Sequence, residues 1–443
     1  LFHYFCHMFK GKKAAFHTLG CKLNFSETSS ISRQLQDVGF IITDFNKPAD
    51  LYVINTCSVT ENANRECKRI IRKAKKNSSN CFIVATGCFA QLKPKEIASI
   101  DGVDMVLGAN EKFNLPKLLK NLNKNQRSAI HGCEINNLNY FPSYSLKDRT
   151  RSFLKIQDGC NYPCTYCTIP LARGKSRSDS IKNIINIATK IASKGIKEIV
   201  LTGVNIGDFK DKESNQGFEY LIKELDKVIG IDRYRISSIE PNLISKKIIQ
   251  NVKKSKKFMP HFHIPLQSGS NTILGKMRRR YRKELYAQKI NEIVSNIPNV
   301  SIGADVIVGF PGENDQEFKN TLKFIKSLPL SYLHVFSYSE RDNTPAIYFE
   351  NKIDKTIKKE RSRILRILSE KMRRDFYQKN IGKRHIALFE QEDNDGFLYG
   401  FTENYIKVKI PFNINIIKTQ QEIQLLDIDP KGIMNAKLTS HKN

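Results

Sequence analysis

Nowhere does the 443-residue sequence hold an uncharged apolar run long enough to cross a bilayer, which argues against a membrane span. It also lacks the bias of a disordered or collagen-like chain, with 40% hydrophobic and 26% charged residues. Negative charge is in short supply: 44 Asp and Glu face 73 Lys and Arg, a net charge of +29. A surplus of that size favours a polyanionic partner, nucleic acid above all, with a lysine-rich compositional bias contributing part of it. No secretory leader is legible, because in LFHYFCHMFKGKK the charges follow the apolar stretch instead of preceding it. A cytoplasmic location is therefore expected. The chain opens on Leu1, and Met8 offers a later start that would leave Cys6 outside the protein.

Cysteine is absent beyond Cys167. The ten that precede this limit are Cys6, Cys21, Cys57, Cys67, Cys81, Cys88, Cys133, Cys160, Cys164 and Cys167. Disulfide frameworks belong to short secreted chains, so grouped cysteines here point to metal or redox chemistry. The tightest group is the C-x3-C-x2-C run Cys160, Cys164 and Cys167, on a loop with Gly159 and Pro163. Closed zinc sites and ordinary ferredoxin clusters take four ligands, and no fourth cysteine lies close by. A four-iron cluster on three cysteines leaves one iron open to an outside ligand, an arrangement suited to catalysis. The alternative is a zinc knuckle with a distant fourth ligand.

A second group is scattered but regular in setting. Cys21 follows AAFHTLG, Cys57 follows LYVINT and Cys88 follows CFIVATG, each reading as a buried strand ending in a turn. Helical patterns lie between them, at 27–38 (closed by Gly39) and at 61–76. Strands alternating with helices imply a parallel sheet, whose ligands sit beyond the carboxyl ends of the strands. A second three-thiolate site is natural there. Cys6, Cys67, Cys81 and Cys133 read as small core hydrophobes or incidental residues.

The fold class expected is α/β, in three units. Residues 12–122 form a parallel α/β domain whose last strand is 105–107, and a linker rich in Asn, Lys and Ser follows at 123–145. Residues 146–376 carry six βα units, with strands FLKIQ, EIVLTG, RYRISS, FHIPLQ, IGADVIVG and YLHVFSY. Six units fall short of a closed eightfold barrel, so an open, partial (β/α)6 barrel is expected, with its active site at the carboxyl ends of the strands. A long charged helix at 355–380 ends this unit. Residues 377–443 alternate like short strands and imply a small antiparallel β-barrel, either RNA-binding or a structural lid.

The motifs TLGCKLN, INTCSVTENA, ATGCFAQ and IQDGCNYPCTYCTIPLARGKSRS together resemble the radical S-adenosylmethionine (SAM) methylthiotransferases. The resemblance covers nearly the whole chain, including a C-terminal unit similar to the family's TRAM barrel. Within the family, GCKLN, SVTENA and IPLARGKSRS are most similar to the branch acting on N6-threonylcarbamoyladenosine of tRNA. The isopentenyladenosine and ribosomal-protein branches look more like GCQMN and GCPKN.

The resemblance implies two 4Fe–4S clusters and SAM as cofactors. Cys160, Cys164 and Cys167 would hold the catalytic cluster, and SAM bound to its open iron would yield a 5′-deoxyadenosyl radical. Cys21, Cys57 and Cys88 would hold an auxiliary cluster that delivers a methylated sulfur to C2 of the adenine. The partners implied are a tRNA anticodon stem-loop and an electron donor such as a flavodoxin or ferredoxin.

Further candidates for SAM binding are Thr202 and Gly203 after the second strand, Glu240 after the third, Gln267 and Ser268 at the mouth after the fourth, and Asp305 in the fifth. Gly203 has the reading of a plain tight turn beside it, and Asp305 that of a satisfied buried group. Basic runs at 253–257 (KKSKK) and 276–283 (KMRRRYRK) read either as solvated faces or as phosphate contacts, and Arg173, Lys175 and Arg177 as phosphate contacts near the cluster loop. The rival of another class is a non-catalytic, zinc-containing RNA-binding protein.

Overall fold

The computed structural model describes residues 9–58, 61–119, 129–132, 134–135, 138–146 and 150–439. Cys6 and Cys133 lie outside these. Strands β1 (Lys13–Thr18), β2 (Ile41–Thr43), β3 (Leu51–Thr56), β4 (Phe82–Gly87), β5 (Met105–Leu107) and β6 (Ala129–His131) form one sheet in the order β2-β1-β3-β4-β5-β6. Every pairing in it is parallel. β3 is buried along its whole length, as a central strand covered on both faces must be. The two faces carry separate cores, one around Tyr52, Ile70 and Phe89 and one around Ile31, Leu35 and Val53.

Two elements depart from the expectations. The sheet continues past 105–107 into β6, which lies in the stretch read as a linker; three residues at a sheet edge leave no periodic signal. The first helix, Lys22–Asp37, starts well before residue 27. Its opening turns bury Asn24, Ser26, Glu27, Thr28 and Ser29, so the apolar periodicity that marks a helix is missing where the helix begins.

The central unit runs β7 (Arg151–Lys155), β8 (Gln157–Asp158), β9 (Arg177–Ser178), β10 (Glu198–Thr202), β11 (Arg233–Ile236), β12 (His261–His263), β13 (Ser301–Val308) and β14 (Tyr332–Ser337). The sheets β11-β10-β7 and β12-β13-β14 are parallel throughout, and bridges Tyr234–Phe258 and Ser238–His263 join them into an open six-stranded barrel. Residues such as Ile199, Leu201, Ile302, Ala304 and Val306 pack on the surrounding helices. The alternate positions turn inward, and many of them are polar: Lys155, Glu198, Arg233, Arg235, His263, Asp305 and His334.

After the helix Lys355–Gln378 come β15 (Arg384–Asn394), β16 (Phe397–Thr402), β17 (Lys407–Pro411), β18 (Gln420–Ile428) and β19 (Met434–Leu438), a closed barrel in the order β15-β16-β17-β19-β18. It is antiparallel as expected except at one seam, where β17 and β19 run parallel. This small barrel closes the floor of the central one. Arg233 donates to Ile386 O (2.6 Å) and Phe401 O (3.2 Å), and Arg235 to Thr402 O (2.8 Å) and Glu403 O (2.9 Å). Tyr405 stacks on His261 with ring centres 4.2 Å apart. Among the described residues no helix is long and apolar enough to cross a membrane.

Candidate active site

Cys21, Cys57 and Cys88 each follow one of three adjacent parallel strands, β1, β3 and β4. Gly20, at φ +93°, brings the turn before Cys21 so close to Cys57 that a Cβ on it would lie 2.8 Å from the Cys57 Sγ. Gly87, at φ +94°, lets Cys88 turn sharply into its helix, where a Cβ would strike the Thr56 backbone at 2.4 Å. Asn24 locks the first turn to the second, donating to Leu19 O (2.8 Å) and Thr56 O (3.2 Å). Cys57 and Cys88 are buried, and Cys21 is exposed just before its helix. Cys67 and Cys81 are buried in the core of this unit, Cys81 just before β4.

The second trio follows β7 and β8. Cys160 N–H donates to Gly174 O (3.0 Å), and Cys167 N–H to Cys164 O (3.1 Å). Thr165 ties the loop to the fourth βα connection, its N–H donating to Met277 O (3.2 Å) and its hydroxyl to Lys276 O (2.9 Å). Burial raises the Cys160 thiol to about 11 and the Cys167 thiol to about 12, so both are protonated until a metal displaces the proton. Cys164 is raised by burial as well, and Arg279 opposes this by donating to its Sγ at 3.1 Å. Arg279 is in turn bound by Glu240, itself raised by burial.

The three sulfurs of neither trio lie within 4.8 Å of one another; among the described residues that closeness occurs only for His263, Asp305 and His334. Sulfurs sharing one zinc, each about 2.3 Å from it, sit roughly 4 Å apart. Three thiols with no fourth beside them are soft donors of the kind that iron–sulfur clusters take.

The two trios meet across an interface. The helix Cys88–Leu92 packs on Ile169–Arg173, the helix that follows Cys167. Arg173 at its end donates to Glu27 Oε1 (3.1 Å), Asp158 Oδ1 (3.0 Å) and Asn24 Oδ1 (2.6 Å). Glu27 is also reached by Lys112 at 2.6 Å and by Lys155 at 3.2 Å, all of them buried. Burial alone would raise the Glu27 carboxyl, but Arg173, Lys112 and Lys155 hold it well below the ordinary range. Asp158 behaves alike, brought down to about 2 by Arg173 and Lys155 against its burial. Arg173 is thus no phosphate contact. Its charge is spent inside the protein, and Arg177 also bonds Asp158, at 3.2 Å.

A cavity of about 220 Å³ at the carboxyl ends of the strands is lined by Cys167, Gln267 and Asp305 among others. Gln267 sits at φ +63° with its buried Oε1 unpartnered. Asp305 accepts from His263 (2.9 Å) and lies 3.4 Å from His334, which outweigh its burial and hold its carboxyl well down. Thr202 is buried with its hydroxyl unpartnered, and Gly203 follows it, where a Cβ would meet Gln157 Oε1 at 2.9 Å. Ser268 does not face the mouth. Its side chain is fully buried against Thr321 (3.2 Å), because the chain turns outward to cap the next helix.

Three residues were not singled out from sequence. Gln157 accepts from Val204 N–H and Asn205 N–H, both at 2.9 Å, and so fixes the loop after β10. Asn205, two residues past Gly203, is buried with both side-chain polar atoms unpartnered. Arg279 is hidden within KMRRRYRK, where a run of like charges gives no hint that one member points inward.

Two family models match the chain: the Radical SAM superfamily over residues 154–325, and Uncharacterized protein family UPF0004 over residues 13–108. A relative from Bacillus subtilis (strain 168), Threonylcarbamoyladenosine tRNA methylthiotransferase MtaB, is 40% identical over 89% of this chain and 89% of its own. The chain belongs to the radical SAM methylthiotransferase family. A second relative of this enzyme, tRNA-2-methylthio-N(6)-dimethylallyladenosine synthase from Syntrophus aciditrophicus (strain SB), is 33% identical over 84% of the chain and 82% of its own. The fold is similar to that of the radical S-adenosylmethionine methyltransferase TsrM from Kitasatospora setae, solved with cobalamin and a [4Fe-4S] cluster. The TM-score is 0.56 at 12% identity, over 76% of this chain and 77% of that one. As a radical SAM methylthiotransferase, the chain is an enzyme and not a zinc-containing binding module.

Proposed function

We propose that this methylthiotransferase acts on tRNA and places a methylthio group on C2 of N6-threonylcarbamoyladenosine beside the anticodon. The substrate named for the Bacillus subtilis relative supports this, as does the surplus of positive charge. The observation that carries the reading is the meeting of two cysteine trios across one buried interface, joined by Arg173. Cys160, Cys164 and Cys167 would hold a four-iron cluster, which would supply an electron to SAM, and Cys21, Cys57 and Cys88 would hold an auxiliary cluster, which would supply sulfur.

The chain's own residues then orient and insulate. Arg279, positioned by Glu240, places a positive charge against Cys164 and favours its thiolate. Gln157 holds the loop after β10 at the height of the cavity, and Thr202, Asn205 and Gln267 present unused polar atoms for SAM or the base. Tyr405 and Arg235 shut the floor, so water and ligands enter from the carboxyl ends of the strands. The reading requires an electron donor of the flavodoxin or ferredoxin kind.

Gly159→Ala tests the catalytic loop without touching a thiol. A Cβ there would lie 2.1 Å from Lys175 O and 2.6 Å from Gly174 O, at φ +71°. Backbone carbonyls cannot swing aside, so Cys160 must shift. Iron per chain is expected to fall to about half of wild type, and iron equal to wild type would refute the role given to this loop.

The substrate is tested by nucleoside mass spectrometry of tRNA from a host lacking methylthiotransferases, with and without this chain. The expected product is 2-methylthio-N6-threonylcarbamoyladenosine. The 2-methylthio isopentenyl nucleoside alone would overturn the branch and keep the chemistry. Neither product, from protein with full iron and sulfide, would overturn tRNA as substrate and turn attention to a ribosomal-protein aspartate.

A further inference from the structure

Two cavities meet at the end of β14. The inner one is the 220 Å³ space beside Cys167. The outer one, about 1120 Å³, runs between the first turns of the helices Glu61–Asn77 and Lys355–Gln378. Phe336, Ser337, Tyr338 and Ser339 line both, so the outer cleft is the vestibule of the inner site.

The vestibule is cationic. Its acidic residues are largely taken up: Glu360 by Arg363 at 2.7 Å and Glu340 by Lys352 at 3.1 Å. Lys355, Lys359 and Arg366 are exposed and have no ion-pair partner among the described residues. At a helical spacing of four and then seven residues they fall on one narrow stripe, about 16 Å long. That length spans several phosphates of a nucleic-acid strand. β14 is the last strand of the open barrel, with the helix Lys355–Gln378 packed along it, and Phe336 on it is 41% exposed where the two cavities join. An aromatic face so placed suits an unstacked base.

The basic runs conspicuous in the sequence are placed less well. KKSKK precedes β12, at the end of the barrel away from the cysteines. In KMRRRYRK, Arg279 is committed to Glu240 and Cys164, and Arg280 lies 4.1 Å over the Tyr162 ring.

We propose that the vestibule is the track for the RNA backbone, with Lys355, Lys359 and Arg366 on consecutive phosphates and Phe336 beneath a base on its way to the inner cavity. This rests on the tRNA reading above and names the surface that serves it.

The test is the affinity of the anaerobically purified, full-length holoenzyme for a fluorescent anticodon stem-loop RNA, measured by anisotropy across a range of KCl. The variants are K355Q/K359Q/R366Q and, as a control, K182Q/K190Q/K194Q, which removes equally exposed lysines on and just after the helix Ile181–Ala192. The first is expected to bind at least about tenfold more weakly, with its salt slope reduced by roughly 2–3, and the control to stay within about twofold of wild type. Phe336→Ala is expected to weaken binding with an unchanged slope, and Phe336→Tyr to restore it. Wild-type affinity and slope in K355Q/K359Q/R366Q would overturn the proposal while leaving the tRNA reading intact. Wild-type protein without salt-dependent RNA binding would overturn both.

Discussion

Serine at Cys160, Cys164 or Cys167 is expected to abolish reductive cleavage of SAM and to remove about half of the bound iron, whereas serine at Cys57 removes a similar share and leaves SAM cleavage in place. A hydroxyl is a hard, weakly acidic donor and cannot replace a thiolate on iron. The contrast between the variants matters more than either loss. The trios stand on different elements, Cys57 behind β3 and Cys160 behind β8, so each loss is local. Iron and acid-labile sulfide counted per chain, with 5′-deoxyadenosine as the second readout, separate the cases. Wild-type iron in Cys57→Ser would remove the auxiliary assignment, and retained SAM cleavage in Cys160→Ser would remove the catalytic one.

Glu27→Gln is expected to cost about 3–5 kcal/mol in the docking of the N-terminal sheet on the central barrel. The change conserves shape and removes one charge, leaving Lys112, Lys155 and Arg173 around Asp158 alone in a site closed to water. Adding Lys112→Met is expected to recover part of the loss, since that lysine lies 2.6 Å from Glu27 and needs it most. Chemical denaturation followed by a probe in each unit measures both; a loss below about 1 kcal/mol in the single variant would contradict the argument. The same network sets an acid limit. Glu27 and Asp158 have carboxyls depressed in the folded state, so their contribution is complete above the unfolded range near pH 4 and fades as pH falls towards about 2. Wild-type protein is expected to lose interdomain cohesion across that interval, and Glu27→Gln to show a shallower dependence.

Cys160, Cys164 and Cys167 are legible as a group because they are close in sequence. Cys21, Cys57 and Cys88 are legible as a group because each follows one of the strand-like runs that become β1, β3 and β4. What escaped had polar residues in the interior. The helix Lys22–Asp37 hides its start behind buried Asn24, Ser26 and Glu27, whose partners lie as far away as Arg173. The same long-range pairing turned Arg173 from an expected surface cation into an internal one. Ser268 reads like a mouth residue because it follows a strand, yet one further turn of chain sends its hydroxyl to Thr321. Glu240 was singled out, but the arginine that holds it was lost in a charged run. Local pattern reports strands and clustered ligands well and reports poorly any residue whose partner is supplied by another unit.

The central position of Glu27 also has a consequence in time. During synthesis this carboxylate leaves the ribosome 85 residues before Lys112 and 146 before Arg173. At roughly 5–20 residues per second, the wait for the arginine lasts about 7–30 s. Lys112 and Lys155 emerge before it, so until Arg173 follows, the acid at the future seam lacks only the guanidinium that also ties it to Asp158 and Asn24. The buried network that joins the two units is therefore complete only after residue 173 has been translated, late in the making of the first half of the chain.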